Sequence, residues 1–236
     1  YKYSGNFNIG YLVTILGDKG MPDYQKQKNF RLTWNHSQDS KANPNMSFSA
    51  NVNFTTSGYD RNNLNSYYNS ATFTENTKSS TVNMTYNFPN APLSISTTAS
   101  INQRTKDSTL SVSFPDFTLN LSRVYPFKRK NPVGKERWYE KISLNYTGIF
   151  RNSIETKQNL FFKSNLIRDW QNGMQHTIPI SATFNMLKYI NISPSFSFTD
   201  RMYTNKIMRQ WDPKASQEVR DTTYGFYNVF NYSFGV

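Results

Sequence analysis

From Met46 to Phe54 apolar and polar residues alternate without a break, with Met46, Phe48, Ala50, Val52 and Phe54 set against Ser47, Ser49, Asn51 and Asn53. Successive side chains of a strand point to opposite faces, so this stretch predicts a strand with one apolar and one polar side. The same period-two pattern recurs as Phe7, Ile9, Tyr11, Val13, Ile15, as Phe30, Leu32, Trp34, and as Val82, Met84, Tyr86, Phe88 against Thr81, Asn83, Thr85, Asn87. It returns at Leu93 to Ile101, at Ile178 to Met186 and at Tyr224 to Phe234. No segment carries the i, i+3, i+4, i+7 stripe of an amphipathic helix. Strands are therefore expected near 6–16, 29–38, 45–57, 67–75, 80–88, 93–103, 108–123, 138–151, 157–168, 175–186, 190–203 and 220–236.

Most of these segments run to ten residues or more. Strands of soluble proteins have a mode of about 5–6 residues, whereas a tilted membrane-spanning strand needs about 9–11. The lengths predict an all-β fold, an antiparallel transmembrane β-barrel of which this chain supplies about twelve strands. Residues 1–236 read as part of one outer-membrane barrel domain, because the chain opens without Met and stops in mid-pattern at Phe234, Gly235 and Val236.

One segment changes register. Leu110, Val112 and Phe114 are even, Phe117, Leu119 and Leu121 are odd, and Pro115 lies between them. Proline cannot donate to a ladder, so a bulge or kink within one strand is expected there. Short connections are expected at 89–92, 104–107, 152–156 and 187–189, and long ones at 17–28, 58–66, 124–137 and 204–219. Parity places 124–137 and 204–219 together, outside the cell.

Composition sharpens this picture. The 236 residues include no Cys and two His, which leaves no thiolate metal site and no disulfide framework and predicts no metal and no cofactor. Only 36% are hydrophobic, and no window offers the roughly 18 consecutive apolar residues of a membrane helix. Yet 16% are aromatic, which argues against disorder. A strand that shows lipid one face and water the other reconciles the two numbers. Aromatic residues gather near strand ends, and Tyr125, Phe127, Trp138, Tyr139, Trp170, Tyr203 and Trp211 are expected to form interfacial girdles.

Candidate chemistry is sparse. His36 stands near Ser37 and Asp39, but neighbours on a strand face opposite ways and this is no triad; His36 shares the parity of Phe30, Leu32 and Trp34. No G-x-S-x-G, H-E-x-x-H or phosphate-binding glycine loop occurs, so no enzyme is expected. Asn-x-Ser/Thr triplets such as Asn53-Phe54-Thr55 follow from strand composition. The net charge of +12 has its densest run between Arg123 and Tyr139. Lys128, Arg129, Lys130, Lys135 and Arg137 are candidates for contacts to lipid phosphates, because Arg and Lys meet such oxygens with charge-assisted hydrogen bonds. The alternative is a solvated loop. Nucleic acid is not an expected partner, since no recognition motif accompanies the charge.

Four blocks carry a resemblance. Gly17-Asp-Lys-Gly-Met-Pro-Asp-Tyr24, Trp34 through Pro44, Tyr125-Pro-Phe-Lys-Arg-Lys-Asn-Pro-Val-Gly-Lys-Glu-Arg-Trp-Tyr-Glu-Lys141, and Ser195 through Ile207 with Trp211-Asp-Pro213 resemble the barrel domain of the lipopolysaccharide-assembly protein family LptD (OstA-like), as found in Bacteroidota. The resemblance implies a cell outer membrane location and a translocon component that inserts lipopolysaccharide into the outer leaflet. It also implies an LptE-like lipoprotein plug inside the barrel and a periplasmic Lpt bridge that delivers the cargo. Nothing in this stretch corresponds to the family's periplasmic jellyroll. The proteobacterial members rely on disulfides, and this stretch has no Cys, so oxidative maturation is not carried over. Other outer-membrane barrels (a porin or nutrient receptor) and a soluble extracellular glycan-binding β protein are the alternative readings.

Overall fold

The computed structural model describes residues 2–69, 75–131, 133–165, 168–186, 190–213 and 216–236. Twelve strands occur among them: β1 (Tyr3–Leu16), β2 (Gln25–Gln38), β3 (Met46–Thr55), β4 (Thr77–Asn87), β5 (Leu93–Arg104), β6 (Thr109–Val124), β7 (Ser143–Lys157), β8 (Gln171–Ser181), β9 (Phe184–Met186), β10 (Ile190–Ile192), β11 (Ser195–Asp212) and β12 (Gln217–Gly235). Ten form one antiparallel sheet in the order β1-β2-β3-β4-β5-β6-β7-β8-β11-β12, and β9 and β10 pair as a separate small hairpin. The fold is all-β, as the alternation predicts. β1 and β12 are the edges of the sheet, so these strands do not by themselves close into the expected barrel. No helix among the described residues is long and apolar enough to cross a membrane.

The twelve strands are not the twelve expected. The strand anticipated over 67–75 begins at the last residue of a helix, and residues 70–74 lie outside those described. The strand anticipated over 157–168 is replaced after Lys157 by a helical turn, α3 (Gln158–Phe161). Instead 175–186 divides into β8 and β9, and 190–203 into β10 and the start of β11. The expected short turn at 152–156 lies inside β7, and that at 187–189 falls outside the described residues. β6 continues through Pro115 as a single strand.

The long connection expected at 204–219 is also overturned. β11 runs on to Asp212 and β12 starts at Gln217, so most of that stretch is ladder. Because β6, β7, β8 and β11 succeed one another antiparallel, the connection after β6 and the turn after β11 leave opposite ends of the strands. Hence 124–137 and 204–219 do not share a side.

The register bears out the two-faced reading. Ile9, Leu32 and Phe54 stand side by side across β1, β2 and β3, as do Phe7, Trp34 and Val52. On the other parity Asn6, Asn35 and Asn51 align, and Asn35 Nδ2 donates to Asn6 Oδ1 at 2.9 Å. On the edge strand β1 the apolar row is exposed, Phe7 by 62% and Ile9 by 55%, whereas Leu32, Trp34, Val52 and Phe54 beside it are half-buried. Side chains that a water-soluble sheet would cover stand open, while Thr55, Lys78, Gln103 and Glu140 are among the most buried described residues.

The chain forms two compact units. The first comprises residues 1–85, 98–114 and 153–165. Beside the buried Ala50, Leu110, Val112 and Ile154, its interior holds cross-linked polar side chains. Gln103 donates through Nε2 to the Thr55 carbonyl and accepts from the Thr55 N–H at 3.2 Å, and Gln158 at the start of α3 also donates to that carbonyl. Two helical turns, α1 (Tyr59–Asn62) and α2 (Leu64–Tyr67), dock here. Tyr59 is buried against Gly10 of β1, where an added Cβ would collide with its hydroxyl, so the phenol needs a glycine at that strand position. Lys78 of β4, fully buried, holds α1 by an ion pair to Asp60 at 3.1 Å and pairs also with Glu75, just before its own strand, at 2.9 Å.

The second unit comprises residues 86–97, 115–152 and 166–236. Its registers repeat the pattern: Ile180, Phe196 and Phe234 align, then Thr177, Thr199 and Asn231 on the other parity. β8 accompanies β11 only from Ser195 to Tyr203, and from Asn205 to Asp212 β11 pairs with β12 alone. The two strands there form an exposed ribbon, entered through a bulge that sets Thr204 against Gly225 and Phe226.

Candidate functional site: a cationic loop cavity

The connection between β6 and β7 folds around one carboxylate. Trp138–Lys141 form a single 3-10 turn, which brings Glu140 back toward Arg137 and Arg129. Glu140 accepts four N–H bonds: from Arg129 Nε, from Arg129 Nη2 at 3.1 Å, from the Arg129 backbone at 3.3 Å and from the Arg137 backbone at 2.7 Å. Its side chain is 1% exposed. The Arg129 guanidinium, foremost among these donors, holds the Glu140 carboxyl down to about 2, and the same bond raises Arg129 above its ordinary value. Arg129 also donates to the carbonyls of Val133 and Lys135, both at 3.3 Å, and so ties the middle of the loop to its end.

The predicted cations therefore separate. Arg129 is a structural tie, half-buried and fully engaged. Arg137 lies over its neighbour Tyr139, 5.9 Å from the ring centroid, and donates to the Tyr139 hydroxyl at 2.8 Å. Lys130 and Lys135 are exposed and outside the cavity that the loop encloses. Lys128 does line it, with its ammonium 5.7 Å from the Tyr125 ring. Two cations that the sequence reading left aside join it there, Arg123 at the end of β6 and Lys141 at the end of the 3-10 turn. Arg123 opens the basic run and Lys141 lies two residues past its end, so the signal was present; which cations converge was not.

The cavity measures about 360 Å³. Besides the three cations its walls include Glu136, Ser143 and Ser181. The two serines are joined, Ser143 Oγ lying 3.1 Å from the Ser181 carbonyl and 3.0 Å from its hydroxyl. Three cations against one exposed carboxylate leave a net positive, hydroxyl-lined hollow. Such a site suits an anion with several oxygens, and a phosphate fits the donors best.

The predicted girdle residues are placed as follows. Tyr125, Phe127 and Trp138 are exposed on this loop, and Trp138 packs edge-on against Tyr139 and Phe184. Trp211 is exposed on the β11–β12 ribbon. Trp170 is buried, 6% exposed, so its ring is not part of an outer girdle. Tyr203 is exposed and lies at the bulge of β11.

The histidines have aromatic surroundings. His36 packs among Tyr3, Trp34 and Phe48, with ring centroids 5.4 to 6.2 Å away. His176 Nδ1 lies 2.6 Å from the Tyr146 hydroxyl. Among the described residues no group of three His, Cys, Asp or Glu side chains is placed to hold a metal ion.

No curated protein sequence matches the chain. A family model described as LptD protein matches residues 1–236. The alternating strands, the ten-stranded antiparallel sheet and the basic loop between Tyr125 and Lys141 thus all fall within the matched stretch, and the chain belongs to the LptD family.

Proposed function

We propose that this chain is a wall segment of an outer-membrane translocon that moves lipopolysaccharide into the outer leaflet, and that it does so without enzymatic chemistry. Membership of the LptD family supports involvement in lipopolysaccharide transport and an outer-membrane setting. The observation that carries the mechanism is the two-faced sheet: its apolar side chains align on one parity, open on β1 and β12, and its polar side chains align on the other, where Asn35 bonds to Asn6. That arrangement matches lipid on one side and a hydrated path on the other. The cationic loop cavity supplies a place where phosphates of the passing lipid pause, held by Arg123, Lys128 and Lys141. The net charge of +12 adds a long-range attraction for an anionic cargo. An LptE-like plug and a periplasmic Lpt bridge are the proposed partners.

The experiment is a triple exchange, Arg123→Gln, Lys128→Gln and Lys141→Gln, in cells that depend on this protein. Protein level and heat-modifiable migration should stay normal while surface lipopolysaccharide falls and sensitivity to large hydrophobic antibiotics rises. Normal surface lipopolysaccharide in that strain would reduce the cavity to a solvated loop.

A further inference from the structure

The apolar parity of the second unit carries a polar line. Ile180, Phe196 and Phe234 stand side by side across β8, β11 and β12, and so do Ile178, Phe198 and Tyr232. The next row is His176, Asp200 and Phe230, followed by Met174, Met202 and Asn228. On β7, Tyr146 shares the parity of Leu144 and Phe150, and its hydroxyl lies 2.6 Å from His176 Nδ1. Asn228 Nδ2 donates diagonally to Asp200 Oδ2 at 3.2 Å. Tyr146, His176, Asp200 and Asn228 thus form a line across four neighbouring strands, on a face otherwise given to Leu, Ile, Met, Phe and Tyr.

Asp200 is the member whose needs are unmet. It is 9% exposed, and its Oδ1 has no hydrogen-bond partner among the described residues. Nor does any described Lys, Arg or His, including His176 directly opposite, form an ion pair with it. Asn228 supplies one neutral bond, to the other oxygen. Lipid chains offer neither a donor nor a counter-charge, so a carboxylate on this face is costly unless protein covers it.

We propose that this face of β7, β8, β11 and β12 docks a second membrane-embedded protein, which presents a Lys or Arg side chain to Asp200 Oδ1 from an otherwise apolar surface. The proposal rests on the reading that the apolar parity faces lipid. The chemistry is complementary in both directions. A basic side chain within a membrane needs a carboxylate as much as Asp200 needs a cation, and one charge-assisted hydrogen bond meets both needs. Neighbouring strands lie about 4.8 Å apart, so the line is about 14 Å long, the width of a protein surface and not of one acyl chain. Phe196, Phe230, Tyr232 and Phe234 around it are exposed and supply the apolar surround. A charge pair at the centre of such a contact selects the partner and fixes its register.

The test places the photo-crosslinker p-benzoylphenylalanine at Phe230, opposite Asp200, and separately at Met84 of β4, in the full chain in outer membranes. Illumination should join position 230 to one discrete protein, with a Lys or Arg at the mapped site, and position 84 to lipid. Asp200→Leu and Asp200→Asn should each lower the protein adduct about tenfold or more, the loss expected for a charge-assisted hydrogen bond, while heat-modifiable migration stays normal. Asp200→Lys should abolish the adduct, and exchange of the partner's mapped basic residue for Glu should restore it in that variant. Four outcomes would overturn the docking and leave the lipid-facing reading intact: lipid adducts alone at position 230, an adduct onto a second copy of this chain, a mapped site without a basic residue, or an adduct undiminished in Asp200→Leu. Absence of lipid adducts at position 84 would overturn that reading, and the proposal with it.

Discussion

Between Lys128 and Lys141 six cations meet two acids, and the acids differ in what they do. Glu136 lines the cavity among Arg123, Lys128 and Lys141, whereas Glu140 is buried beneath four N–H donors and shapes the loop. A carboxyl held at about 2 against an ordinary 4.5 contributes stability that is complete above 4.5 and lost as pH falls toward 2. The Arg129 and Arg137 amides, both bonded to Glu140, should accordingly stay protected from hydrogen exchange at pH 6. They should lose protection, after correction for intrinsic rates, between pH 4.5 and 2. Glu140→Gln should expose them at every pH, and unchanged protection at pH 2.5 would show that the loop does not rest on this charge. The basic run was plain in the sequence, but the division of labour within it was not. Arg129 and Glu140 are eleven residues apart in a loop, where no strand or helix period relates them.

At the level of elements, the docking of α1 rests on Lys78. Its ammonium lies between Asp60 and Glu75 with no exposed surface of its own, and Ser66 donates to the other Asp60 oxygen at 3.3 Å. Removing one partner of a buried pair strands the other charge, which typically costs about 3–5 kcal/mol. Because Glu75 is partly exposed, Lys78→Met should lower unfolding stability by about 3 kcal/mol, the lower end of that range. Denaturant unfolding in detergent measures it, and a midpoint equal to wild type would mean that the helices dock through Tyr59 instead. Strands with one covered or lipid-ready face were legible from alternation alone, as β1, β3 and β5 show. The ribbon was not. From Lys206 to Trp211 every residue is exposed, so neither parity is selected for apolar side chains and only backbone pairing makes the strand. Residues 158–162, Gln-Asn-Leu-Phe-Phe, failed for a different reason, since a short apolar run fits a helical turn as well as a strand.

For the whole molecule the consequence of a two-faced sheet is a reactivity toward water-soluble reagents that alternates from one residue to the next along a strand. On β4, Asn83 bonds to Thr98 on the polar parity at 3.0 Å, while Met84, exposed, shares the apolar parity with the half-buried Val82 and Tyr86. With single cysteines in outer membranes, Asn83→Cys should react with a water-soluble thiol reagent and Met84→Cys should not. The reverse pattern would mean that the polar parity faces lipid, and the transport path would have to be abandoned. Beyond the bulge at Thr204, the β11–β12 ribbon answers to none of these constraints. Its residues pair only with each other, so the ribbon can lengthen or shorten by matched steps, one residue in each arm, without moving any side chain of β8 or of the sheet beyond. An unmatched insertion has to be absorbed as an extra residue in one arm, as Gly225 and Phe226 already do opposite Thr204. Among relatives, length differences are therefore expected to collect between 205 and 224, in even totals, and an epitope inserted between Asp212 and Gln217 should be displayed without disturbing assembly.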